Sequence, residues 1–321
     1  VHSNRKGDVM LKYVLKRLGY ILVTLWVIVT CTFFMMKNLP GTPFDAERFS
    51  IMTPQQQERV LEMYGLNDSL PMQYVKYIKN MLKGDLGTSF TYINQDVSKV
   101  ITGRLGPSAL IGIQAVLIGL AIGLILGILA AWKHNSGIDY FTMILAVLCV
   151  SVPNFVAASL LQYYIGLKWG VLPVGFWTGW NCSVLPSIAL SFSATAMVAR
   201  FMRTEMLDVL DQDYIITARA KGLSQMKVLM RHAVRNSILP VVTILGPIVV
   251  NLMTGSLAVE NIFSIPGIGS LFVDCIKAND YPVIMGITIF YAAFYMLIVL
   301  LVDLAYSLID PRIRLAKGKE S

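Results

Sequence analysis

The residues best suited to specific chemistry lie in a polar, basic stretch between two apolar runs, from Tyr214 to Pro240. Lys227, Arg231 and Arg235 stand four residues apart there, a spacing that places side chains on one face of a helix. Apolar residues recur at helical spacing along another face, namely Met226, Met230, Ala233 and Val234. The pattern predicts a basic amphipathic helix from Ser224 to Asn236, which would bind either an acidic protein groove or anionic lipid headgroups.

Charges upstream of this helix favour a protein partner over a membrane surface. The preceding stretch carries acidic residues that anionic lipid would repel, namely Glu205, Asp208, Asp211 and Asp213. Gly222, just before the helix, is expected either to adopt a left-handed conformation that ends one helix, or to leave room for another backbone to approach.

Signatures of enzymes are missing from the sequence. It contains no G-x-x-x-x-G-K-[ST] phosphate loop, no H-E-x-x-H zinc helix and no G-x-S-x-G elbow. Asp303 is the only acidic residue well inside an apolar run, and a lone carboxylate is a poor catalytic centre. We expect it to pair with a basic residue near the inner ends of the helices rather than to relay protons. The chain is therefore predicted not to be an enzyme and to have no catalytic residue.

Cysteine and histidine positions give no support for a metal site. Cys31, Cys149, Cys182 and Cys275 form no C-x-x-C pair, and the three histidines are scattered. Cys182 and Cys275 are both predicted to lie on the outer side, where a disulfide is possible, but two reduced thiols are the favoured interpretation. We expect no metal and no cofactor in this chain.

The composition indicates an integral membrane protein. Charged residues make up 14% of the chain, against roughly 25% in soluble proteins. Hydrophobic residues reach 55%, and the mean hydropathy is +0.63. The net charge of +8 comes from residues beside apolar runs rather than from a nucleic-acid-binding motif. The partner indicated by composition is membrane lipid, and no nucleic acid is expected.

About 20 apolar residues span the hydrocarbon layer as a helix, and an isolated strand would leave its backbone groups unpaired there. The sequence therefore predicts an all-α protein with six transmembrane helices. The six runs are Leu18 to Met36, Ala109 to Trp132, Tyr140 to Leu167, Val184 to Ala199, Pro240 to Ala258, and Val283 to Leu308.

The distribution of Lys and Arg predicts the orientation, because positive residues near spans tend to remain cytoplasmic. With the N-terminus inside, the short outer loops carry only Lys168 and Lys277. The long loop of residues 37–108 is not counted, since segments above about 60 residues cross largely regardless of charge. Both termini are therefore predicted to be cytoplasmic, with 37–108 outside.

Five segments follow from this topology. Residues 1–9 are polar and are interpreted as a cloning remnant or an upstream start-site extension. Residues 10–36 hold the N-terminal cytoplasmic segment and the first span, and 37–108 form an extracytoplasmic insert. The core of residues 109–314 contains the remaining spans and a cytoplasmic loop of residues 200–239, and a cytoplasmic tail of residues 315–321 follows.

The extracytoplasmic insert is expected to be a small helical unit. Thr53 is predicted to cap a helix with Pro54 in its first turn and Gln56 completing a capping box, and Gly65 to end it. A second helix is predicted from Pro71 to Lys83, ending at Gly84. The insert is interpreted either as a lid over the outer helix ends or as a docking surface for an extracytoplasmic protein.

Two blocks of sequence resemble the permease subunits of ATP-binding-cassette (ABC) importers, most closely those for oligopeptides and dipeptides. The first is Thr217-Ala218-Arg219-Ala220-Lys221-Gly222, within the cytoplasmic loop. The second runs from Val259 to Gly269, reading Val-Glu-Asn-Ile-Phe-Ser-Ile-Pro-Gly-Ile-Gly, and is followed by Asp280-Tyr281-Pro282. The general family motif begins Glu-Ala-Ala, and the first two of those positions here are Ile216 and Thr217.

The resemblance implies a type I ABC importer permease fold in a bacterial or archaeal cell membrane. It also implies three kinds of partner: a second homologous permease subunit, two cytoplasmic ATPase subunits that bind ATP and Mg²⁺, and an extracytoplasmic peptide-binding protein. ATPase coupling would fall to residues 217–222 together with Lys227, Arg231 and Arg235. Two alternatives stay open, namely an importer of nickel or glutathione with the same architecture, and a membrane scaffold that transports nothing.

Polar residues inside the predicted spans are candidates for an aqueous substrate path, because polar groups facing lipid are costly. These candidates are Gln114, Ser151, Asn154, Gln162, Asn251, Thr254 and Ser256. Most polar residues in helix bundles only tie helices together, so each of these assignments also has a structural interpretation.

Overall fold

The computed structural model describes residues 2–38, 49, 51–63, 65–92, 95–254 and 257–309. In these ranges the regular structure is helical apart from an isolated bridge between Thr88 and Asp96, which confirms the all-α prediction. The chain forms two compact units. The first comprises residues up to Gly106 together with Leu271–Met296, and the second comprises Pro107–Ser270 together with residues from 297 onward.

The first unit begins with α1 (His2–Lys37), in which residues Lys16–Lys37 form a candidate membrane span. The predicted span from Leu18 to Met36 coincides with it. The helix also includes residues 2–9, the polar segment set apart in the sequence. Two short helices of the insert follow, α2 (Pro54–Met63) and α3 (Leu70–Leu82).

Local hydrogen bonds show why the insert helices begin and end where they do. The backbone N–H of Thr53 donates to Oε1 of Gln56 at 2.9 Å, and the N–H of Gln56 lies 3.4 Å from Oγ1 of Thr53. This is the predicted capping box. Gly65 and Gly84 follow α2 and α3 with φ of 64° and 82°, the left-handed conformation that glycine adopts without strain.

The insert packs on α1 through an aromatic cluster. Phe33 of α1 is 3% exposed and lies between the rings of Tyr74 and Tyr77, with centroid distances of 5.4 Å and 5.8 Å. The hydroxyls of Thr30 and Tyr74 are hydrogen bonded at 2.7 Å. These contacts show a folded segment rather than a linker.

Three of the remaining helices contribute residues to both units, and the others lie in the second unit. The helices are α4 (Val97–Trp132), α5 (Gly137–Ser151), α6 (Asn154–Leu161, continued by a π-helical turn Gln162–Lys168), α7 (Val184–Leu210, after a 3₁₀ turn Trp180–Ser183), α8 (Asp213–Ala220), α9 (Gln225–Val228, continued by a π-helical turn Leu229–Val234), α10 (Arg235–Thr254), α11 (Leu257–Ile262), α12 (Ile268–Lys277) and α13 (Tyr281–Ile309).

The predicted third span is not one straight helix. The continuous helix expected from Tyr140 to Leu167 is replaced by α5 and α6 with its π turn, which meet at an angle of 98°. Val152 at the junction has an extended backbone, with φ of −86° and ψ of 118°, and Pro153 follows it. Proline cannot donate to the preceding turn and disfavours helical backbone in the residue before it, so the helix breaks here.

Other spans differ from the sequence prediction mainly in length. α4 begins well before Ala109, and α7 continues past Ala199 to Leu210. The fifth predicted span, Pro240 to Ala258, corresponds to α10 and the start of α11, and α13 covers the sixth. The described helices give five candidate spans, or six when the bent pair counts as one. Counting apolar residues finds the hydrocarbon-spanning part of a helix but not the polar turns that extend it.

A glycine stripe brings α4 unusually close to α7. Gly119, Gly123 and Gly127 lie one turn apart on α4, and each faces the backbone or Cβ atoms of α7. A Cβ built on Gly123 would lie 2.7 Å from Cβ of Val198 and 2.9 Å from the carbonyl oxygen of Thr195. In lipid, where apolar surface gives helices little reason to associate, such close backbone approach supplies the packing contacts.

We expect Gly123→Ala to lower the thermal stability of the purified protein in detergent, because overpacking a tight contact costs about 1–3 kcal/mol. Gly103→Ala is the matched control on the same helix. Its added Cβ meets no atom within 4 Å, and alanine is the better helix former by about 1 kcal/mol. The two variants should therefore shift the unfolding midpoint in opposite directions. A midpoint for Gly123→Ala at or above the wild-type value would contradict the close packing.

Candidate coupling site

The end of α7 carries a small hydrophobic core that joins it to the next two helices. Ile215 and Ala218 of α8 and Val228 of α9 are buried, with exposed fractions of 0%, 6% and 1%. Partly buried residues complete the cluster, namely Val209, Leu210 and Leu223. Because its members come from α7, α8, α9 and the turn between the last two, the cluster holds α8 and α9 against α7. We refer to residues 209–236 as the coupling block.

Gly222 makes the turn between α8 and α9. Its φ of 79° is left-handed, its N–H donates to the carbonyl of Arg219 at 2.9 Å, and the N–H of Leu223 donates to the carbonyl of Ala218 at 3.4 Å. These bonds satisfy carbonyl groups at the end of α8. A Cβ at Gly222 would meet no atom within 4 Å. Of the two roles considered from the sequence, the structure therefore shows the left-handed conformation and not a close approach.

The segment after Gly222 is helical, but its buried face differs from the predicted one. Met226 and Met230, assigned to the apolar face, are 51% and 53% exposed. The residues that pack inward are Ala233, which the prediction placed on the apolar face, and Val228 and Leu229, which it did not. The residues from Leu229 to Val234 form a π-helical turn, which shifts side chains relative to the 3.6-residue period on which the prediction rested.

The outward face of this helix is both basic and apolar. Lys227, Arg231 and Arg235 are all exposed, as the sequence predicted. Within the described part of the chain, none of these three side chains forms an ion pair. Met226 and Met230 lie beside them, so positive charge and flexible apolar surface form one continuous face.

Residues 217–222 are held from within α8. Ala218 points into the small core, while Oγ1 of Thr217 donates to the carbonyl of Asp213 at 3.0 Å. The other residues of this six-residue motif are exposed, namely Arg219, Ala220, Lys221 and Gly222. The structure therefore places residues 217–222 on α8 and the turn that follows it.

Two hydrogen bonds tie the start of α10 to α7 and α8. Ser237 is fully buried, and its Oγ lies 3.2 Å from the carbonyl oxygen of Glu205 on α7. Nδ2 of Asn236 donates to the hydroxyl of Tyr214 on α8 at 3.1 Å. The coupling block, which begins at the end of α7 and ends in the first turn of α10, is therefore attached to both helices.

A small cavity of about 60 Å³ lies beside the block. It is lined by Trp132, Leu210, Arg219, Gln225, Val228 and Leu229. Pockets that hold cofactors or drug-sized ligands measure about 300–1,000 Å³. The cavity is therefore too small for a nucleotide, and the chemistry of the site lies on its exposed face.

The second block of the sequence is organised around a buried carboxylate. Glu260 is 0% exposed and accepts hydrogen bonds from Oγ of Ser108 at 2.7 Å and from the backbone N–H of Ser270 at 3.0 Å. Ser108 also accepts from the N–H of Ile268 at 2.8 Å. A Cβ on Gly267 would overlap the Glu260 carboxylate. Glu260 thus anchors the start of α12, a role that the sequence did not assign to it.

Asp280 has a comparable role in the first unit. Its carboxylate accepts from Oγ of Ser89, from the N–H of Thr91 at 3.0 Å and from the N–H of Val283 at 3.4 Å. The last bond caps α13, and Pro282 lies in the first turn, where its missing N–H is not needed. The Asp-Tyr-Pro motif therefore starts a span and fixes the loop around residue 90.

Several substrate-path candidates take part in bonds between segments. Oε1 of Gln114 accepts from Oγ of Ser187 at 2.9 Å. Nε2 of Gln162 donates to the carbonyls of Val174 at 2.7 Å and Ile262 at 2.8 Å. The first bond ties α4 to α7, and the other two tie the turn after α6 to a loop and to α11. The assignment of Gln114 and Gln162 to a substrate path stays a prediction.

The remaining path candidates are spread over the second unit. Ser151 and Asn154 flank the 98° bend, and Asn251 is exposed on α10. Thr254 is the last residue of α10, and its side chain is outside the described part of the structure. Ser256 is entirely outside it. The side chain of Asp303 also falls outside the described part of α13, so its expected ion pair stays a prediction.

All four cysteines are free thiols, and Cys182 and Cys275 are buried. Burial, with Asp280 and Asp274 adding to it, raises the pKa of Cys275 to about 12. Its thiol is therefore protonated and unreactive at neutral pH.

Comparison with known protein families identifies the family of this chain. The family described as the inner membrane component of binding-protein-dependent transport systems matches residues 123–315, and the corresponding N-terminal family matches residues 10–106. The chain belongs to this family. It is therefore a permease subunit of an ABC importer and a multi-pass inner membrane protein.

Curated relatives match this permease over nearly its whole length. The dipeptide transport system permease protein of Lactococcus lactis is 46% identical, over 95% of this chain and 100% of its own. The Bacillus subtilis protein of the same name is 43% identical, over 96% and 99%. The oligopeptide transport system permease protein of Salmonella typhimurium is 39% identical, over 95% and 100%.

A solved structure shares the fold of this permease. The crystal structure of an amino acid ABC transporter with histidines aligns with 67% of this chain and 94% of its own, with a TM-score of 0.50 and 19% identity. At that identity the likeness concerns the fold alone.

We expect Gly222→Leu to loosen the turn between α8 and α9, since left-handed backbone costs a non-glycine residue about 1–2 kcal/mol. Gly222→Asn is the matched control, because asparagine tolerates this conformation and the site has room for a side chain. Hydrogen exchange read by mass spectrometry should show faster exchange of residues 213–228 in the leucine variant and near wild-type exchange in the asparagine variant. Equal exchange in both would show that the left-handed turn is dispensable.

Proposed function

We propose that this permease is one of two related membrane subunits of an ATP-driven importer of oligopeptides, and that it forms half of the translocation path. The observation that carries the proposal is the match over 95% of the chain to proteins named as dipeptide and oligopeptide permeases. Partner ATPase subunits would bind ATP and Mg²⁺ and carry out hydrolysis, so this chain acts as a transport subunit and not as an enzyme. An extracytoplasmic protein would deliver the peptide.

The geometry of the coupling block supports contact with an ATPase. Its exposed face combines positive charge, from Lys227 and Arg231, with adaptable apolar surface, from Met226 and Met230. A groove with acidic rims and an apolar floor complements such a face. The buried core beneath it fastens the face to α7, so a push on the face reaches a membrane helix.

The orientation that fits this role places both termini and the coupling block in the cytoplasm, with the insert outside. The excess of Lys and Arg on the predicted inner side supports it. The insert, folded on α1 by its aromatic cluster, then offers a docking surface for the peptide-binding protein. Residues 217–222 with Lys227, Arg231 and Arg235 are proposed to couple to the ATPases.

The proposed path is permissive. Gln114 and Gln162 engage neighbouring segments through hydrogen bonds. Side chains fixed in this way would line the path without selecting among peptides, and selection would belong to the binding protein. An importer of nickel or glutathione with the same build remains an alternative, as does a scaffold that anchors a cytoplasmic complex.

Reconstitution with the second permease, the ATPases and the binding protein should give ATP-dependent uptake of a radiolabelled tripeptide into proteoliposomes. Unlabelled di- and tripeptides should compete, whereas excess nickel or glutathione should not. Assembly and hydrolysis without uptake of any of the three would favour the scaffold, and competition by nickel or glutathione alone would favour the alternative substrates.

The variant Lys227→Glu with Arg231→Glu should weaken co-purification of the ATPases at least about 10-fold, equivalent to about 1.4 kcal/mol, because both reversed charges would face an acidic groove. Lys79→Glu with Lys83→Glu makes the same change of charge on the insert and should leave assembly intact. If the first variant assembles normally but loses affinity for anionic liposomes, the helix binds headgroups and not the ATPase.

Single cysteines, introduced in a background without the native four, test the orientation. An impermeant thiol reagent should label positions 67 and 181 from outside only, because Asn67 and Asn181 lie in predicted outer segments. It should label the positions of His134, Gln225 and Lys317 from inside only. Outside labelling at position 225 would contradict the cytoplasmic location of the coupling block.

A further inference from the structure

An ion pair that the sequence analysis missed joins α5 to α7. Asp139, in the first turn of α5, has a side chain only 3% exposed. Arg203 of α7 binds it through two contacts, Nε to Oδ1 at 2.6 Å and Nη2 to Oδ2 at 2.8 Å. Two parallel bonds between planar groups fix their relative orientation as well as their distance.

The same carboxylate holds the turn between α4 and α5. The backbone N–H of Asn135 donates to Oδ2 of Asp139 at 3.0 Å, and Asn135 has a left-handed φ of 57°. Nδ1 of His134 lies 3.2 Å from Nη2 of Arg203. One buried acid therefore joins α7, the start of α5 and the turn after α4.

α5 packs closely on α7 through small side chains. The buried residues of α5 are Asp139, Thr142 and Ala146, two of which have small side chains. Many of its large apolar side chains are exposed, among them Tyr140, Phe141, Ile144, Val147 and Leu148. Small contacts and polar groups hold helices together in lipid, and the ion pair adds a directional tie to this packing of α5 on α7.

Arg203 is also close to the coupling block along α7. It lies seven residues before Leu210, about two helical turns, and Leu210 packs against the small core of α8 and α9. A continuous helix of this length moves as a rigid rod, so a displacement of the block reaches Arg203. The ion pair therefore links α5 to the part of α7 that leads to the coupling block.

We propose that Arg203 and Asp139 are positioning residues that make α5 follow α7 when the coupling block is pushed. The bend at Pro153 and α6 move with α5, so that the movement of the block extends to the region of Gln162. The inference rests on the proposed function, because it takes the coupling block as the place where the ATPases act.

The first test measures peptide imported per ATP hydrolysed in proteoliposomes of the complete importer, with radiolabelled tri-alanine as the probe. Asp139→Asn should lower this ratio by about 5-fold or more, the lower range of typical coupling between sites. ATPase co-purification and the basal hydrolysis rate should stay near wild type. Arg203→Lys should give an intermediate ratio, because it keeps the charge but loses the two-point contact.

Lys99→Gln is the control for loss of a charge alone. It removes the exposed pair between Lys99 and Asp96, whose side chains are 80% and 58% exposed, and should leave the ratio unchanged. Removing one partner of a buried pair also destabilises the fold, so the unfolding midpoint is measured for every variant. A lower midpoint with an unchanged ratio in Asp139→Asn would show a purely structural role and overturn the inference.

A second test needs no transport. Spin labels at positions 147 and 197, where Val147 of α5 and Met197 of α7 are exposed, report the separation of the two helices with and without ATP and vanadate. In wild type the distance should stay the same in both states, and in Asp139→Asn it should change or broaden on trapping. The same distances in both proteins would overturn the inference and leave the proposed function standing. Failure of the wild-type chain to assemble with ATPases would refute both.

Discussion

In the hydrocarbon interior of a bilayer, apolar surface gains little by turning from lipid to another helix, so helices associate where backbones approach closely or polar groups meet. α7 is where this constraint is satisfied. In its most apolar window 72% of the residues are buried, against 11–33% in the other candidate spans. Its small residues allow α4 to approach through Gly119, Gly123 and Gly127.

The rest of the second unit is arranged around that helix. α5 reaches α7 through Asp139 and Arg203, and α10 reaches it through Ser237 and the carbonyl of Glu205. The coupling block continues from the end of α7 and has a buried core of its own. A surface suited to an external partner is thus joined directly to the helix whose apolar window is the most buried among the candidate spans.

Buried carboxylates in this protein share one solution to the cost of desolvation. Glu260 accepts from the N–H of Ser270, Asp280 from those of Thr91 and Val283, and Asp139 from that of Asn135. Each also has a side-chain partner. A negative charge removed from water needs several donors, and unpaired N–H groups at helix starts and turns supply some of them. The acids therefore fix the positions of helix ends.

The sequence by itself determined what depends on neighbouring residues. The apolar runs required helices, since lipid offers the backbone no other partner. The capping box of Thr53 and Gln56 and the left-handed turns at Gly65, Gly84 and Gly222 follow from local conformational preference. The exposed basic stripe follows from spacing, because charged side chains turn away from a packed face.

The tertiary structure decided what depends on residues far apart in the chain. Pro153 signals a break, but composition could not show a 98° bend within an apolar run. Which face of α9 is buried was decided by the core beneath it and by the π turn, so Met226 and Met230 are exposed despite their pattern. Asp139 stood at the edge of a predicted span with nothing nearby to mark it. Its partner Arg203 lies on another helix, and the free energy of a buried charge depends on such a partner, whose position exists only once the helices have packed.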